Sequence, residues 1–291
     1  MKLSVIVPIY NALPDLQKLL KSLIHNFDFS LGEVILVNDK SDAETSDFLI
    51  KFCDRHKCFK LINNHENSGF IKTCNRGMRN AKNDIFVLLN SDTIIPTEFC
   101  YRIIKCFKSD KNIGVASPIG AHTATYYIEP PFLYSLERMN RRLRRRHKCE
   151  YPVVPAAEGY CFCIRKEVFL QQGGLDEIYG KGYHEEVDFS YRANDNGWKN
   201  VLIDDLYVYH KRHASFGTAQ RSELIKQNTK TFINRWGCFR TDTSNIIRKI
   251  RYEVLPVPLL KRIFSVDYSW DRKYKIIRVL GLQFKKNMTG A

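Results

Sequence analysis

The sequence predicts an α/β protein built on a mixed, mostly parallel sheet flanked by helices. Segments rich in aliphatic and β-branched residues alternate with segments of helical period through the first ~120 residues, the pattern of consecutive strand-helix-strand units. Two strand-like segments end in polar clusters, Asn38-Asp39 and Asn90-Ser91-Asp92, where turns and helix starts are expected. With 291 residues, 44% of them hydrophobic and 26% charged, the chain is long enough for one large domain with an appendage.

The strand candidates in the first part are LSVIVPI (3–9), EVILVN (33–38), FKLIN (59–63), DIFVLLN (84–90) and GVASP (114–118). Between the first two, Leu13, Leu16, Leu19, Leu20, Leu23, Ile24 and Phe27 recur at the spacing of an amphipathic helix. Ser41 with Glu44 three residues later reads as a capping box opening a second helix. From about 120 to 157 the periodicity fades into prolines and an arginine run, which reads as a long connection. YCFCIR then reads as a strand, EVFLQQ as a short helix ended by Gly173 and Gly174, EEVDFSYRAND as a helix and VLIDDLYVYH as one or two strands. Beyond about 240 apolar residues interleave with Lys and Arg, and a helical extension is expected there.

Lys and Arg number 46 against 31 Asp and Glu, a formal charge of +15 that favours an anionic partner. Nucleic acid, an acidic membrane face and a phosphorylated substrate all qualify. The excess concentrates at Arg141, Arg142, Arg144, Arg145, Arg146 and Lys148 and again after residue 248, and a solvated surface is the plain alternative for both. No recognition-helix, zinc-finger or ribonucleoprotein signature accompanies the charge, so nucleic acid is not the expected partner. The nine cysteines are scattered, and neither Cys53 with Cys58 nor Cys161 with Cys163 has a second pair at zinc spacing. The apolar run Leu3 to Ile9 is too short for a secretory or spanning segment. A cytoplasmic protein, with peripheral contact to an anionic membrane left open, is therefore expected.

In open α/β sheets ligands bind beyond the carboxyl ends of the strands, so Asp39 and Asp92 should converge on one crevice. Asp92, in LLNSDT, suits a divalent cation and equally suits a turn or N-cap. Glu185, Glu186 and Asp188 crowd the start of a helix, where they complement its dipole or raise one another's pKa towards the range of a general base. His210 ends YVYH as a further ligand or a structural histidine, with His213 its competitor. Gly69 and Gly77 bracket Lys72 and Arg76, cations for a diphosphate or ordinary helix surface; the spacing is neither a Walker loop nor GxGxxG.

Taken in order, VIVPIYN, VNDKSD, NSGFIKTCNRG, LLNSDT, EGYCFCIRKEVFLQQGGLDE with GYHEEVDFSYRANDNGW, and YVYHKRHASF resemble the motifs of the family 2 glycosyltransferases, over residues 2 to about 217. The resemblance implies a GT-A fold, Rossmann-like, as in the nucleotide-diphospho-sugar transferases. Its domain would cover 1–238, with a nucleotide-binding half 1–118 and an acceptor-side half 119–238, followed by the extension 239–291. It implies inverting transfer from a UDP- or dTDP-sugar to a hydroxyl of a glycan or lipid-linked acceptor, in bacterial capsule, lipopolysaccharide or other surface polysaccharide synthesis. Pro8, Tyr10, Asn11 and Asp39 would surround the base and ribose, Lys72 and Arg76 the phosphates. Asn90, Ser91 and Asp92 match the metal-binding DxD element, where Asp92, joined by His210, would hold Mn²⁺ or Mg²⁺. Glu186 stands at the position of the catalytic base, with Glu185 and Asp188 as alternatives. Tyr160 and Trp198 are the acceptor-facing aromatics, for which buried packing is the alternative. Asn90 replaces the first acid of DxD, and Glu186 replaces an Asp. An inactive sugar-nucleotide-binding module is the competing reading, and a homodimer contact through the tail is left open.

Overall fold

The computed structural model describes residues 1–121, 125–131, 134–146, 149–211, 218–240, 244–255 and three strands at 264–268, 274–279 and 282–287. The first part alternates as expected: β1 (Leu3–Ile9), α1 (Leu13–Asn26), β2 (Gly32–Asn38), α2 (Ala43–Arg55), β3 (Phe59–Asn63), α3 (Phe70–Arg79), β4 (Ile85–Leu89), a two-residue β5 (Thr93–Ile94), α4 (Phe99–Ser109) and β6 (Ile113–Gly120). There follow α5 (Leu136–Arg146), β7 (Cys161–Arg165), α6 (Lys166–Gln172), a 3-10 turn (Glu177–Tyr179), α7 (Glu185–Asp195), β8 (Lys199–His210), α8 (Thr218–Trp236) and α9 (Ser244–Val254). Three last strands are β9 (Phe264–Tyr268), β10 (Tyr274–Val279) and β11 (Leu282–Asn287).

Eight strands form one sheet in the order β3-β2-β1-β4-β7-β6-β8-β5. β1 pairs in parallel with both β2 and β4, so the strand order reverses beside it and a crevice opens at its carboxyl end. Pro8 lies beyond the last β1–β4 pair, Ile6 with Leu88, where a missing N–H interrupts no ladder on that side. β7 runs antiparallel to β4 and β6, and β5 runs antiparallel to β8.

Side-chain alternation divides the core between the faces of this sheet. Leu3, Val5, Val7 and Ile9 pack with Leu16, Leu19, Leu20 and Leu23 of α1, whereas Ile6 packs with Val37, Ile71 and Met78 on the α3 side. α3 lies so close to β1 that a Cβ built on Gly77 would stand 2.3 Å from Ile6 Cγ2 and 3.2 Å from Val37 Cγ2.

Three local expectations need correction. The cap of α2 is Asp42, whose carboxylate accepts from Thr45 N at 2.8 Å; Ser41 Oγ instead accepts from Asn11 N at 3.0 Å. The stretch read as a long connection contains α5. Only Met139 and Leu143 are its buried apolar residues, too few for an apolar period, while arginine itself favours helix. The extension read as helical holds α9 and then a three-stranded antiparallel sheet, β11-β10-β9. FSVDY and LQFKK alternate apolar and polar residues with period two, which basic-apolar interleaving alone does not separate from a helical face. α9 packs Ile247, Ile250 and Val254 against Met139 and Leu143 of α5, and Phe239 joins the cluster around Phe232. Among the described residues no helix is long and apolar enough to cross a membrane.

Gly77→Ala should lower stability by about 1–3 kcal/mol through overpacking, even though alanine favours helix. Urea unfolding measures this; an unchanged midpoint would mean that α3 can lift from β1 without cost.

Candidate active site

The site begins where β4 ends. Asn90 N donates to Tyr160 O at 2.9 Å, and Asn90 O accepts from Thr93 N at 3.3 Å and Thr93 Oγ1 at 2.8 Å, a tight turn with Ser91 and Asp92 at its tip. β5 then pairs Thr93 with His210 and Ile94 with Tyr209 of β8. Lys211 N donates to Asp92 O at 3.0 Å, while Lys211 Nζ donates to both carboxylate oxygens of Asp15 at 2.9 Å, tying the end of β8 to the first turn of α1. As a result Asp92 Oδ1 and His210 Nε2 stand 3.3 Å apart. The His210 ring stacks on Tyr160, with centroids 5.0 Å apart and an 18° interplanar angle, and its Nδ1 is buried without a partner. Tyr160 is itself buried, and its hydroxyl donates to Pro118 O at 2.7 Å. Tyr160 is thus a platform beneath His210 rather than an aromatic facing an acceptor.

The acidic helix α7 reaches the same region through Gly159. The side chain of Glu186 packs there, its Cγ 3.4 Å from where a Gly159 Cβ would stand, next to Tyr160 in sequence. The turn feeding α7 is strained: Gly180, Gly182, Tyr183 and His184 all have positive φ, of 61°, 135°, 74° and 74°. Asn228 of α8 clamps it, Nδ2 contacting the carbonyls of Tyr179, Gly182 and Tyr183 at 2.8, 2.6 and 3.3 Å, and His184 Nε2 meets Thr229 Oγ1 at 2.8 Å.

The three carboxylates of α7 have different fates. Glu185 Oε2 and Glu186 Oε2 are both buried without a hydrogen-bond partner. Burial, with the charge of Glu158 adding to it, pushes the Glu186 carboxyl up to about 7. Burial first and Glu186 second push Glu185 well above the usual carboxylate range. Asp188 is also fully buried but saturated, accepting from Tyr179 Oη at 3.2 Å, Trp236 Nε1 at 2.9 Å and Arg192 Nε at 2.8 Å, with Arg235 Nη1 at 3.2 Å. A carboxylate held by four donors is a structural hub, which removes Asp188 from the candidates for a base.

On the nucleotide side Asp39 is buried and engaged by the chain itself: Oδ1 accepts from Asn64 Nδ2 at 2.7 Å and Ser68 N at 2.8 Å, and Oδ2 from Gly69 N at 2.9 Å. It shapes the turn into α3. Tyr10 is exposed beside it, and Asn11, with φ 56°, accepts from Asp42 N at 2.8 Å. Arg76 is committed to Asn63 O at 3.0 Å and Asn64 Oδ1 at 2.5 Å, so it braces the end of β3 instead of facing a diphosphate. Lys72 is exposed with only Glu177 at 4.0 Å, a weak pair that leaves its ammonium free to swing. Asn64, Ser68 and Asn75 were not anticipated; Asn75 exchanges two hydrogen bonds with Leu175, at 2.8 and 2.9 Å, locking α3 to the Gly173-Gly174 turn. Their one visible signal is their place inside the NSGFIKTCNRG stretch or next to it.

Trp198 does not join the site. It precedes β8, packs over Gly114 at the start of β6 and donates from Nε1 to Gln171 Oε1 at 2.7 Å. The length of β8, on the order of 30 Å, separates it from His210. His213 lies outside the described residues, as do Ser215 and Lys148.

Among the described residues no group of three or more His, Cys, Asp or Glu side chains is placed to hold a metal. Asp92 and His210 offer one carboxylate and one imidazole on neighbouring strand ends, a pair compatible with a cation completed by phosphate oxygens and water.

Parts of the chain are similar to several known proteins. Part of the chain is 26% identical to the dolichol-phosphate mannosyltransferase of Pyrococcus furiosus over 117 residues, 40% of this chain and 33% of that protein. It is 25% identical to the poly-beta-1,6-N-acetyl-D-glucosamine synthase of Staphylococcus epidermidis over 115 residues, 40% of this chain and 27% of that one. It is 35% identical to the N-acetylglucosaminyl-diphospho-decaprenol L-rhamnosyltransferase of Mycobacterium tuberculosis over 92 residues, 32% of this chain and 29% of that one. The chain therefore matches about a third or less of the length of each of these relatives. Two solved structures share the fold: the mannosyltransferase PcManGT from Pyrobaculum calidifontis in complex with GDP-Man and Mn²⁺ (TM-score 0.60, 17% identity, 80% of this chain and 64% of that one) and S. aureus TarS 1–349 (TM-score 0.56, 19% identity, 90% and 77%). The GT-A fold is thereby established. The sequence profile described as glycosyl transferase family 2 matches residues 4–172, more than half of the 291 residues, and the chain belongs to that family.

Proposed function

We propose that the protein transfers a sugar, with inversion, from a UDP- or dTDP-sugar to a hydroxyl of a glycan or lipid-linked acceptor in bacterial surface polysaccharide synthesis, acting in the cytoplasm. The observation that carries this reading is the convergence of three distant segments at one sheet edge: Asp92 beside His210, His210 on Tyr160, and Glu186 against Gly159. The donor bound by PcManGT, GDP-Man with Mn²⁺, and the diphospho-lipid in the name of the mycobacterial relative support a nucleoside-diphosphate donor and a lipid-linked acceptor.

In this mechanism the acceptor hydroxyl attacks the anomeric carbon, its bond to the diphosphate oxygen breaks, the nucleoside diphosphate departs, and the hydroxyl proton passes to Glu186. Glu186 is suited to this because burial, with one oxygen lacking a hydrogen-bond partner, brings its carboxyl near the working pH. Asp92 and His210 would hold Mn²⁺ or Mg²⁺, which supplies charge neutralisation at the leaving diphosphate. Tyr160 fixes the plane of the imidazole, and the Asn90 turn fixes the position of the Asp92 backbone. Asp39 and Asn11 would line the nucleoside end, with Tyr10 exposed beside them.

Asp92→Ala should reduce sugar transfer by at least ~100-fold and abolish the extra thermal stabilisation that Mn²⁺ gives in the presence of nucleoside diphosphate. Transfer that survives this change would remove Asp92 from the centre.

The pH dependence follows from the same burial. A base must be deprotonated, so kcat/KM should rise through about pH 7. For stability the sign is opposite: burial raises the folded carboxyl above the ordinary carboxylate range, so the neutral form is favoured and stability declines as pH rises through about 7. Glu186→Gln should therefore lose transfer yet be more stable than wild type at pH 8 by about 1–3 kcal/mol, with the gap closing below pH 5. Denaturant melts at the two pH values, alongside turnover, measure it; an equally active or a destabilised variant would refute the assignment.

A further inference from the structure

α5 is anchored on one face and strongly basic on the other. Its inner side carries Met139, Asn140 and Leu143, and Asn140 exchanges hydrogen bonds with Tyr207 of β8, Nδ2 to O and Tyr207 N to Oδ1, both at 2.8 Å. Its first turn is fixed by Glu137, which accepts from Thr97 N at 2.7 Å and Thr97 Oγ1 at 2.6 Å. The helix is thus tied to Thr97, five residues after Asp92, and to Tyr207, three before His210.

The outer side presents Arg138, Arg141, Arg142 and Arg145 at i, i+3, i+4 and i+7, joined by Arg146. With Tyr134 they surround a cavity of about 370 Å³. Arg138 lies over the Tyr134 ring at 4.4 Å and Arg142 at 5.9 Å, so the aromatic orients two guanidinium planes. Arg142 Nε also donates to Val254 O of α9, and Arg144 turns away to Glu98, Nε to Oε2 3.5 Å. Among the described residues no carboxylate pairs with Arg141, Arg145 or Arg146. The helix dipole accounts for cations in the last turn but not for Arg138 and Arg141 one or two turns earlier. Like charges four residues apart repel, so the stripe itself costs stability.

We propose that this arginine cavity binds phosphate groups, and that the acceptor sugar is delivered to the Asp92 crevice on a phosphate-bearing carrier whose phosphates seat on α5. The substrate class rests on the glycosyltransferase reading of that crevice. Guanidinium forks match phosphate oxygens bidentately, and several around one space suit a diphosphate or phosphodiester. A membrane-inserting helix is a poor fit, because the apolar residues of α5 face inward and none is left to enter a bilayer. The cavity is concave, which suits a discrete group rather than a planar lipid surface.

The test is calorimetric titration with inorganic tripolyphosphate, without divalent cation so that the Asp92 crevice does not compete. Wild type should bind, R141Q/R145Q/R146Q should bind roughly tenfold or more weakly, and K18Q/K51Q/K57Q, which removes the same charge from α1, α2 and the turn after α2, should bind as wild type does. Equal loss in both triple variants, or no binding by wild type, overturns the proposal. So does flotation with phosphatidylglycerol vesicles that depends on the three arginines while tripolyphosphate fails to bind, since that result assigns the face to a membrane. The single change R141Q should give a smaller loss in the same direction and guards against a misfolded triple variant. Asp92→Ala should keep wild-type affinity for tripolyphosphate; if that variant also keeps sugar transfer, the catalytic reading fails while the phosphate site stands.

Discussion

Two ladder pairs, Thr93 with His210 and Ile94 with Tyr209, join the nucleotide-side strands to the far edge of the sheet. Everything at the candidate centre is referenced to them. They bring Asp92 and His210 within 3.3 Å, and Lys211 locks the junction with its backbone on Asp92 and its ammonium on Asp15. A two-residue strand is weak by itself, so its persistence depends on such flanking contacts. Asn26 Nδ2 donates to Ile95 O at 2.8 Å and Ile95 N to Ser22 Oγ at 3.2 Å, which adds α1 as a third support.

Around the candidate site the buried carboxylates divide into two populations. Asp39 and Asp188 each receive several donors, the arrangement that makes a buried anion tolerable. Glu185 and Glu186 lie one turn from Asp188 on the same helix, yet each has an oxygen with no donor. Leaving such groups unsatisfied is unfavourable, and protein interiors rarely do so without compensation. Here the compensation is protonation, available only to groups whose pKa rises, as both do.

Much of this was legible in the sequence because the sheet follows from local pattern. β1, β2 and β4 are largely apolar runs buried on both faces, and the polar residues that end them mark the crevice. Glu186 and Asp188 could not be told apart by residue type; two residues on a helix face nearly opposite sides, and which side is satisfied depends on Tyr179, Trp236 and Arg235 from other elements. Arg192, four residues after Asp188, was the readable hint of that pairing. Arg76 and Trp198 show the same limit. Their chemistry fits a ligand, but the partners that occupy them, Asn64 and Gln171, are set by tertiary contact. α5 escaped notice because charge hid its two-residue apolar stripe.

The strained turn before α7 has a consequence for how the molecule comes into being. Its three carbonyls find their donor in Asn228, whose link to Gly182 spans 46 residues. While the polypeptide is still emerging from the ribosome, the acidic pair appears before that asparagine, whose three contacts later secure the turn that carries Tyr183 and His184 at positive φ. A nascent chain that stops short of α8 can already build β1 to β4, yet its Glu185 and Glu186 remain unset. Competence is thus acquired late in synthesis, after most of the sheet exists.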